Sequence, residues 1–146
     1  MEINKNLVVI KENNKEDKFS LLDELCDLLY KNKIISSKEN FFESVKSREE
    51  DMSTGFGYGL AIPHGRSNEV NTFDFAIMLI QNGVDYNAID GKPVNIIFLA
   101  AIPSKEGKLY QTKLSRISSF FRDKNNRDEI FNVKDKTELI KILERI

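Results

Sequence analysis

The sequence predicts an α/β fold, a three-layer sandwich with helices over both faces of a β-sheet. Three observations predict it. Short runs of consecutive apolar residues, of strand length, recur along the chain. Other segments carry apolar residues at three- and four-residue spacing, as an amphipathic helix does. The two kinds alternate, and alternating strands and helices build layers of helix, sheet and helix. At 146 residues the chain fits one domain, residues 1–146, with a sizeable core.

Taken in order, Leu7-Val8-Val9-Ile10 predicts a short strand, and the polar stretch from Lys11 to Lys15 a turn after it. From Glu16 to about Tyr30, Leu21, Leu22, Leu25, Cys26, Leu28 and Leu29 recur at helical spacing. Cys26 lies on that stripe, which predicts a buried, unreactive thiol. Ser36-Ser37-Lys38-Glu39 opens a second helix, with Ser36 as N-cap and Glu39 as its capping-box partner. Its predicted buried stripe is Phe41, Val45, Arg48 and Met52. An arginine on such a stripe has two readings. It complements the helix dipole in the last turn and snorkels its stem, or its guanidinium points inward toward a bound anion.

The stretch from Thr54 to Arg66 is the one the rest of the chain is organised around. Gly55, Gly57 and Gly59 do not make a nucleotide loop: G-x-G-x-G is not G-x-G-x-x-G, and no Gly-Lys-Ser/Thr follows. They fit a tight loop lying close under something else. Leu60-Ala61-Ile62 predicts a buried strand, which Pro63 ends because it offers no N–H and fixes its own φ. His64, the only histidine, is then presented where a strand stops and a loop begins. Gly65 behind it leaves room for a partner or a phosphate to come close.

Asn71 to Ile80 predicts a buried strand, Asp90-Gly91 a turn, and Val94 to Ile102 the most hydrophobic and central strand, ended by Pro103. Helices follow from about Lys108 to Arg122, with the stripe Tyr110, Leu114, Ile117 and Phe121, and over Arg127 to Phe131. A last helix begins near Asp135, with Glu138 as capping partner, and buries Leu139, Ile140, Leu143 and Ile146.

Composition removes several functions. With 22 basic and 23 acidic residues interspersed, net charge −1, no basic face attracts nucleic acid. No apolar run reaches the roughly 18–20 residues that span a bilayer, and the N-terminus has no signal-peptide core, so no direct membrane insertion and a cytoplasmic location are expected. One cysteine excludes an internal disulfide, and one His with one Cys cannot assemble a zinc site. No G-x-S-x-G elbow marks a nucleophilic serine for which His64 would be the base.

His64 itself can do chemistry. A neutral imidazole is a usable nucleophile near neutral pH: one ring nitrogen can take a phosphoryl group while the other is held by an orienting partner. Such a carrier needs an exposed imidazole, a cation for the phosphoryl oxygens, and a surface on which partners dock. Guanidinium matches phosphate oxygens in bidentate fashion, and Arg48 is the natural candidate. Arg66 is nearer in sequence, but it lies past the turn and could equally face solvent.

Arg48-Glu49, Ser53-Thr54-Gly55, Phe56-Gly57, Leu60-Ala61-Ile62-Pro63-His64-Gly65, Asp90-Gly91-Lys92-Pro93-Val94 and the strand end from Phe98 to Pro103 together resemble one family over nearly the whole chain. It is that of the fructose/mannitol-type enzyme IIA domains of the bacterial sugar phosphotransferase system. The resemblance implies a mixed β-sheet flanked by helices, as in mannitol-type enzyme IIA. It implies a carrier that takes phosphate from the histidine-containing phosphocarrier protein and passes it to a IIB component, with no metal or organic cofactor. His64 would carry the phosphoryl group, through Nε2, and Arg48 would stabilise it, with Thr54 and Gly65 as hydrogen-bond contributors. A stand-alone IIA protein, without a fused IIB or IIC segment, is the expectation. Two positions depart from the family. Tyr110 stands where members often have a second histidine, and it can donate a hydrogen bond but carries no positive charge at neutral pH. Tyr58 stands where a small or polar residue is usual, either as part of a docking surface or as a cover over the site. A regulatory, nitrogen-type IIA protein is the alternative to a sugar transporter component.

Overall fold

Successive residues of the two long strands, β5 (Asp74–Val84) and β6 (Val94–Pro103), point into two different cores, as strand geometry requires. Ile97, Leu99 and Ala101 of β6 join one buried cluster with Leu21, Leu25, Phe41 and Val45. Ile96, Phe98, Ala100 and Ile102 join another with Ile117, Phe121, Leu139 and Leu143. The computed structural model, which describes residues 1–146, is therefore an α/β sandwich of three layers. Helices α1 (Lys18–Lys31) and α2 (Lys38–Asp51) cover one face; α3 (Leu109–Arg122), α4 (Lys124–Phe131) and α5 (Lys136–Leu143) cover the other. No helix is long and apolar enough to cross a membrane.

The sheet is mixed and β6 is its middle strand. On one side β6 pairs antiparallel with β5, which pairs parallel with β1 (Val8–Lys11). On its other side two short strands lie end to end, β3 (Leu60–Ala61) and β4 (His64–Ser67), both parallel to β6; β2 (Gly55–Gly57) folds back on β3. Cys26 is fully buried on α1, as the helical stripe implied, and burial pushes its thiol up to about 12.

Six expectations need correction. Pro63 does not end the strand run: its carbonyl accepts from Ala100 N–H at 2.9 Å, and the chain resumes pairing with β6 from His64 to Ser67. The missing N–H costs one rung and leaves the direction unchanged. The N-cap of α2 is Ser37, which accepts from Asn40 N–H at 3.3 Å, because Ser36 is taken by Glu69. Both the amide and hydroxyl of Ser36 bond the Glu69 carbonyl, beside the bridge between Ile35 and Val70. The buried stripe of α2 is Phe41, Val45 and Glu49; Met52 is 70 % exposed and Arg48 half-buried. The glycine segment is a β2–β3 hairpin rather than a loop, although it does lie close under a neighbour: a Cβ on Gly55 would sit 2.6 Å from Ala88. Lastly, β5 begins at Asp74 and runs to Val84, past an irregularity after Leu79, and α4 starts at Lys124 because Asp123 caps it.

Candidate functional site

His64 is the first residue of β4, opposite Ala100 of β6, on a strand with no neighbour on its outer side. Because side chains alternate along a strand, His64 and Arg66 face the α3 layer and Gly65 faces α2. Gly65 is required there. A Cβ on it would lie 2.6 Å from Cε2 and 3.0 Å from Cζ of Phe41, which is fully buried. Helix α2 thus seats directly on the strand behind His64, which brings the helix's last turn, with Arg48 and Glu49, to the edge of the site. The glycine serves this close approach on the α2 side.

On the other face, Tyr110 in the first turn of α3 meets the imidazole. Its hydroxyl lies 3.4 Å from Nδ1, a long contact, and the rings are 5.5 Å apart between centroids and tilted by 44°. The Nδ1 side of the ring is thereby engaged. Half-burial is the main force that holds His64 below its ordinary pKa; a hydrogen bond to the Ile62 backbone opposes it, Arg48 lowers it, Glu49 raises it and Arg66 lowers it. Burial pushes Tyr110 up, against the same two guanidiniums. The ring at neutral pH is therefore a neutral imidazole in a positive field. That combination favours a nucleophilic nitrogen whose anionic adduct is stabilised as it forms.

Both arginines are held at the ends of elements. Arg48 Nη1 donates to the Met52 carbonyl at 2.8 Å, capping its own helix, while its charge reaches His64 and Tyr110. This is the first of the two readings of Arg48, a charge that caps and complements its own helix. Arg66 Nη1 donates to the carbonyls of Pro103, at 3.3 Å, and Glu106. Arg66 was undervalued in the sequence because a chain turning at Pro63 gives it no fixed direction, whereas a strand through 64–67 puts it two residues from His64 on the same face.

Thr54 is engaged on the other side. Its hydroxyl donates to Glu49 Oε2 at 2.6 Å, its N–H to Glu49 Oε1 at 2.9 Å, and its Oγ1 lies 3.1 Å from the Tyr86 hydroxyl. Glu49 also pairs with Lys18 at 3.3 Å. This buried cluster went unread in the sequence; the signal for it was the four-residue spacing of Phe41, Val45 and Glu49, which puts the acid on the apolar stripe. Tyr58 does not cover His64. It sits in the β2–β3 turn with φ +60, its ring under the Arg127 guanidinium at 4.8 Å, in a cleft of ≈ 790 Å³ shared with Phe56, Asp90, Lys92 and Phe131. That cleft is at the other end of β6, since Leu60 pairs with Ile96 and His64 with Ala100, four residues or about 13 Å further along.

The chain is similar to known proteins in sequence and in fold. A family model described as "Phosphoenolpyruvate-dependent sugar phosphotransferase system, EIIA 2" matches residues 1–146. The chain is 27 % identical over 141 residues to the fructose-specific EIIABC component of Bacillus subtilis, covering 97 % of this chain and 22 % of that protein. It thus spans about a fifth of the length of that relative. Among solved structures it is similar to the nitrogen regulatory protein IIA-Ntr of Neisseria meningitidis, with TM-score 0.85 and 29 % identity over 95 % of this chain and 97 % of the other. It shares its fold with the enzyme IIA of the complex of enzyme IIAMTL and phosphorylated enzyme IIBMTL from Escherichia coli, at TM-score 0.83 and 13 % identity, covering 100 % and 99 %.

Proposed function

The chain belongs to the EIIA 2 family of the phosphoenolpyruvate-dependent sugar phosphotransferase system, and on that premise we propose that it carries phosphate on His64. The observation that carries this reading is a neutral imidazole engaged at Nδ1 by Tyr110, within the field of Arg48 and Arg66. Nε2 is the nitrogen left to react. Its lone pair attacks the phosphorus of the phosphorylated histidine-containing phosphocarrier protein as the donor's P–N bond breaks, and the two guanidiniums balance charge on the phosphoryl oxygens. Onward transfer reverses the roles: a thiolate of a IIB component attacks, and the electron pair of the P–N bond returns to His64. Gly65 and Thr54 contribute by backbone position, and no metal or organic cofactor enters the exchange.

The transport role, feeding a IIB component for uptake of a fructose-like sugar or polyol, is supported by the similarity to fructose-specific components. A second reading, regulation through phosphorylation-dependent protein binding, is favoured by the likeness to IIA-Ntr over nearly the full length of both chains. The test is incubation with phosphoenolpyruvate, enzyme I and the phosphocarrier protein, followed by intact-mass measurement and then addition of a fructose-type IIB component. One acid-labile phosphate on wild type and none on His64→Ala is expected. Loss of that phosphate to the IIB component supports transport; its retention supports regulation. Equal labelling of His64→Ala would refute the assignment.

A further inference from the structure

Lys18 and Glu49 are the only charged side chains that the fold buries, 9 % and 3 % exposed, and no step of the phosphoryl exchange described above uses them. A buried ion pair is a costly way to fill space, since apolar residues of like volume do so at no loss of stability. What Glu49 holds gives it a use. One carboxylate takes the Lys18 ammonium, the Thr54 N–H and the Thr54 hydroxyl. Thr54 in turn accepts the Ile62 N–H on its carbonyl at 3.1 Å, two residues before His64 in the chain. Lys18 is fixed by the Tyr86 carbonyl at 3.1 Å and the Tyr86 ring at 4.7 Å. Glu49 also lies in the last turn of α2, next to Arg48. Thr54 therefore ties the buried carboxylate to the strand segment that carries His64.

We propose that Glu49, neutralised by Lys18, is a positioning residue for phosphoryl transfer, holding through Thr54 and Ile62 the backbone that leads into His64. This rests on the carrier reading of His64. A carboxylate suits the task where an amide does not: it accepts both Thr54 bonds and keeps a negative charge beneath a site that is otherwise cationic. The charged and titratable groups facing His64 are Arg48 and Glu49 from α2, Arg66 from β4 and Tyr110 from α3, and Glu49 alone is negative.

As His64 is the only histidine, its ring resonances report the site without ambiguity in an NMR titration. Removing the negative charge by Glu49→Gln should lower the His64 midpoint, by roughly half a pH unit. Lys18→Met, which leaves the Glu49 charge unneutralised, should raise it. A pair that merely filled space would loosen the site in both variants, admit water, and raise both midpoints toward ~6.5. In single-turnover transfer from the phosphorylated phosphocarrier protein, Glu49→Gln should be roughly 10–100-fold slower. The double variant Lys18→Met/Glu49→Gln removes the uncompensated charge, and should regain the wild-type melting temperature without regaining the rate. A midpoint that rises in Glu49→Gln, or a double variant that regains both melting temperature and rate, would overturn the proposal. A wild-type protein that takes no phosphate refutes the carrier reading instead, while the NMR titration still reads the effect of Glu49 on the ring.

Discussion

Replacing Gly65 by alanine should drive helix α2 off the strand that bears His64. The new Cβ would meet Phe41 Cε2 at 2.6 Å, Cζ at 3.0 Å and Cδ2 at 3.2 Å. Carbon atoms rest ~3.5–4.0 Å apart, so ring or strand must retreat by about 1 Å. Phe41 is fully buried in a cluster with Val45, Leu99 and Ala101 and has no free side to move into. Overpacking of this kind costs about 1–3 kcal/mol, and for a chain of this size each kcal/mol lowers Tm by roughly 2–4 °C. A loss near 2 kcal/mol therefore gives a fall of about 4–8 °C by calorimetry, with slowed transfer because Arg48 rides on the same helix. Phe41→Leu deletes the clashing ring carbons, so the double variant Gly65→Ala/Phe41→Leu should be more stable than the two single losses added together, by about 1 kcal/mol or more. Strict additivity, or a Gly65→Ala protein that melts with wild type, would refute the reasoning.

Three further outcomes follow from the site. Tyr110→Phe removes the 3.4 Å contact at Nδ1 and leaves the ring packing, so phosphoryl transfer should slow up to about tenfold while Tm changes by less than ~3 °C. Cys26, with its thiol pushed up to about 12, should resist Ellman's reagent at pH 8 until the protein is unfolded in urea. Because His64 titrates below its ordinary value in the folded protein, the unfolded chain binds its proton first as pH falls. Its contribution to stability should thus be level above ~6.5, decline as pH falls toward the folded midpoint, and level off below it; His64→Gln should flatten that part of the urea-denaturation profile.

The layered fold was legible because it depends on period, and period survives in a sequence. β6 stood out by its apolar run from Ile96 to Ile102 and is the middle strand; the stripe of α1 placed Cys26 in the core. The errors fall where a single backbone bond or a one-residue rotation decides. Pro63 lacks a donor but still accepts from Ala100, so β4 continued where a loop was expected, and with it the direction of Arg66 was lost. On α2 an alternation of four and three chose Arg48 and Met52 over Glu49, since a buried acid is expected only when its partner is known, and Lys18 lies 31 residues away. His64 was singled out through the proline and glycine around it. The reason for Gly65 was not, because only the packed structure shows Phe41 behind it.

The most direct measurement is long-range ¹H–¹⁵N NMR of the ¹⁵N-labelled protein after phosphorylation by phosphoenolpyruvate, enzyme I and the phosphocarrier protein, which reads the phosphorylated nitrogen of the one imidazole. A phosphoryl group on Nε2, with Nδ1 protonated and facing Tyr110, is expected. A group on Nδ1, on a residue other than His64, or on none would contradict the site described.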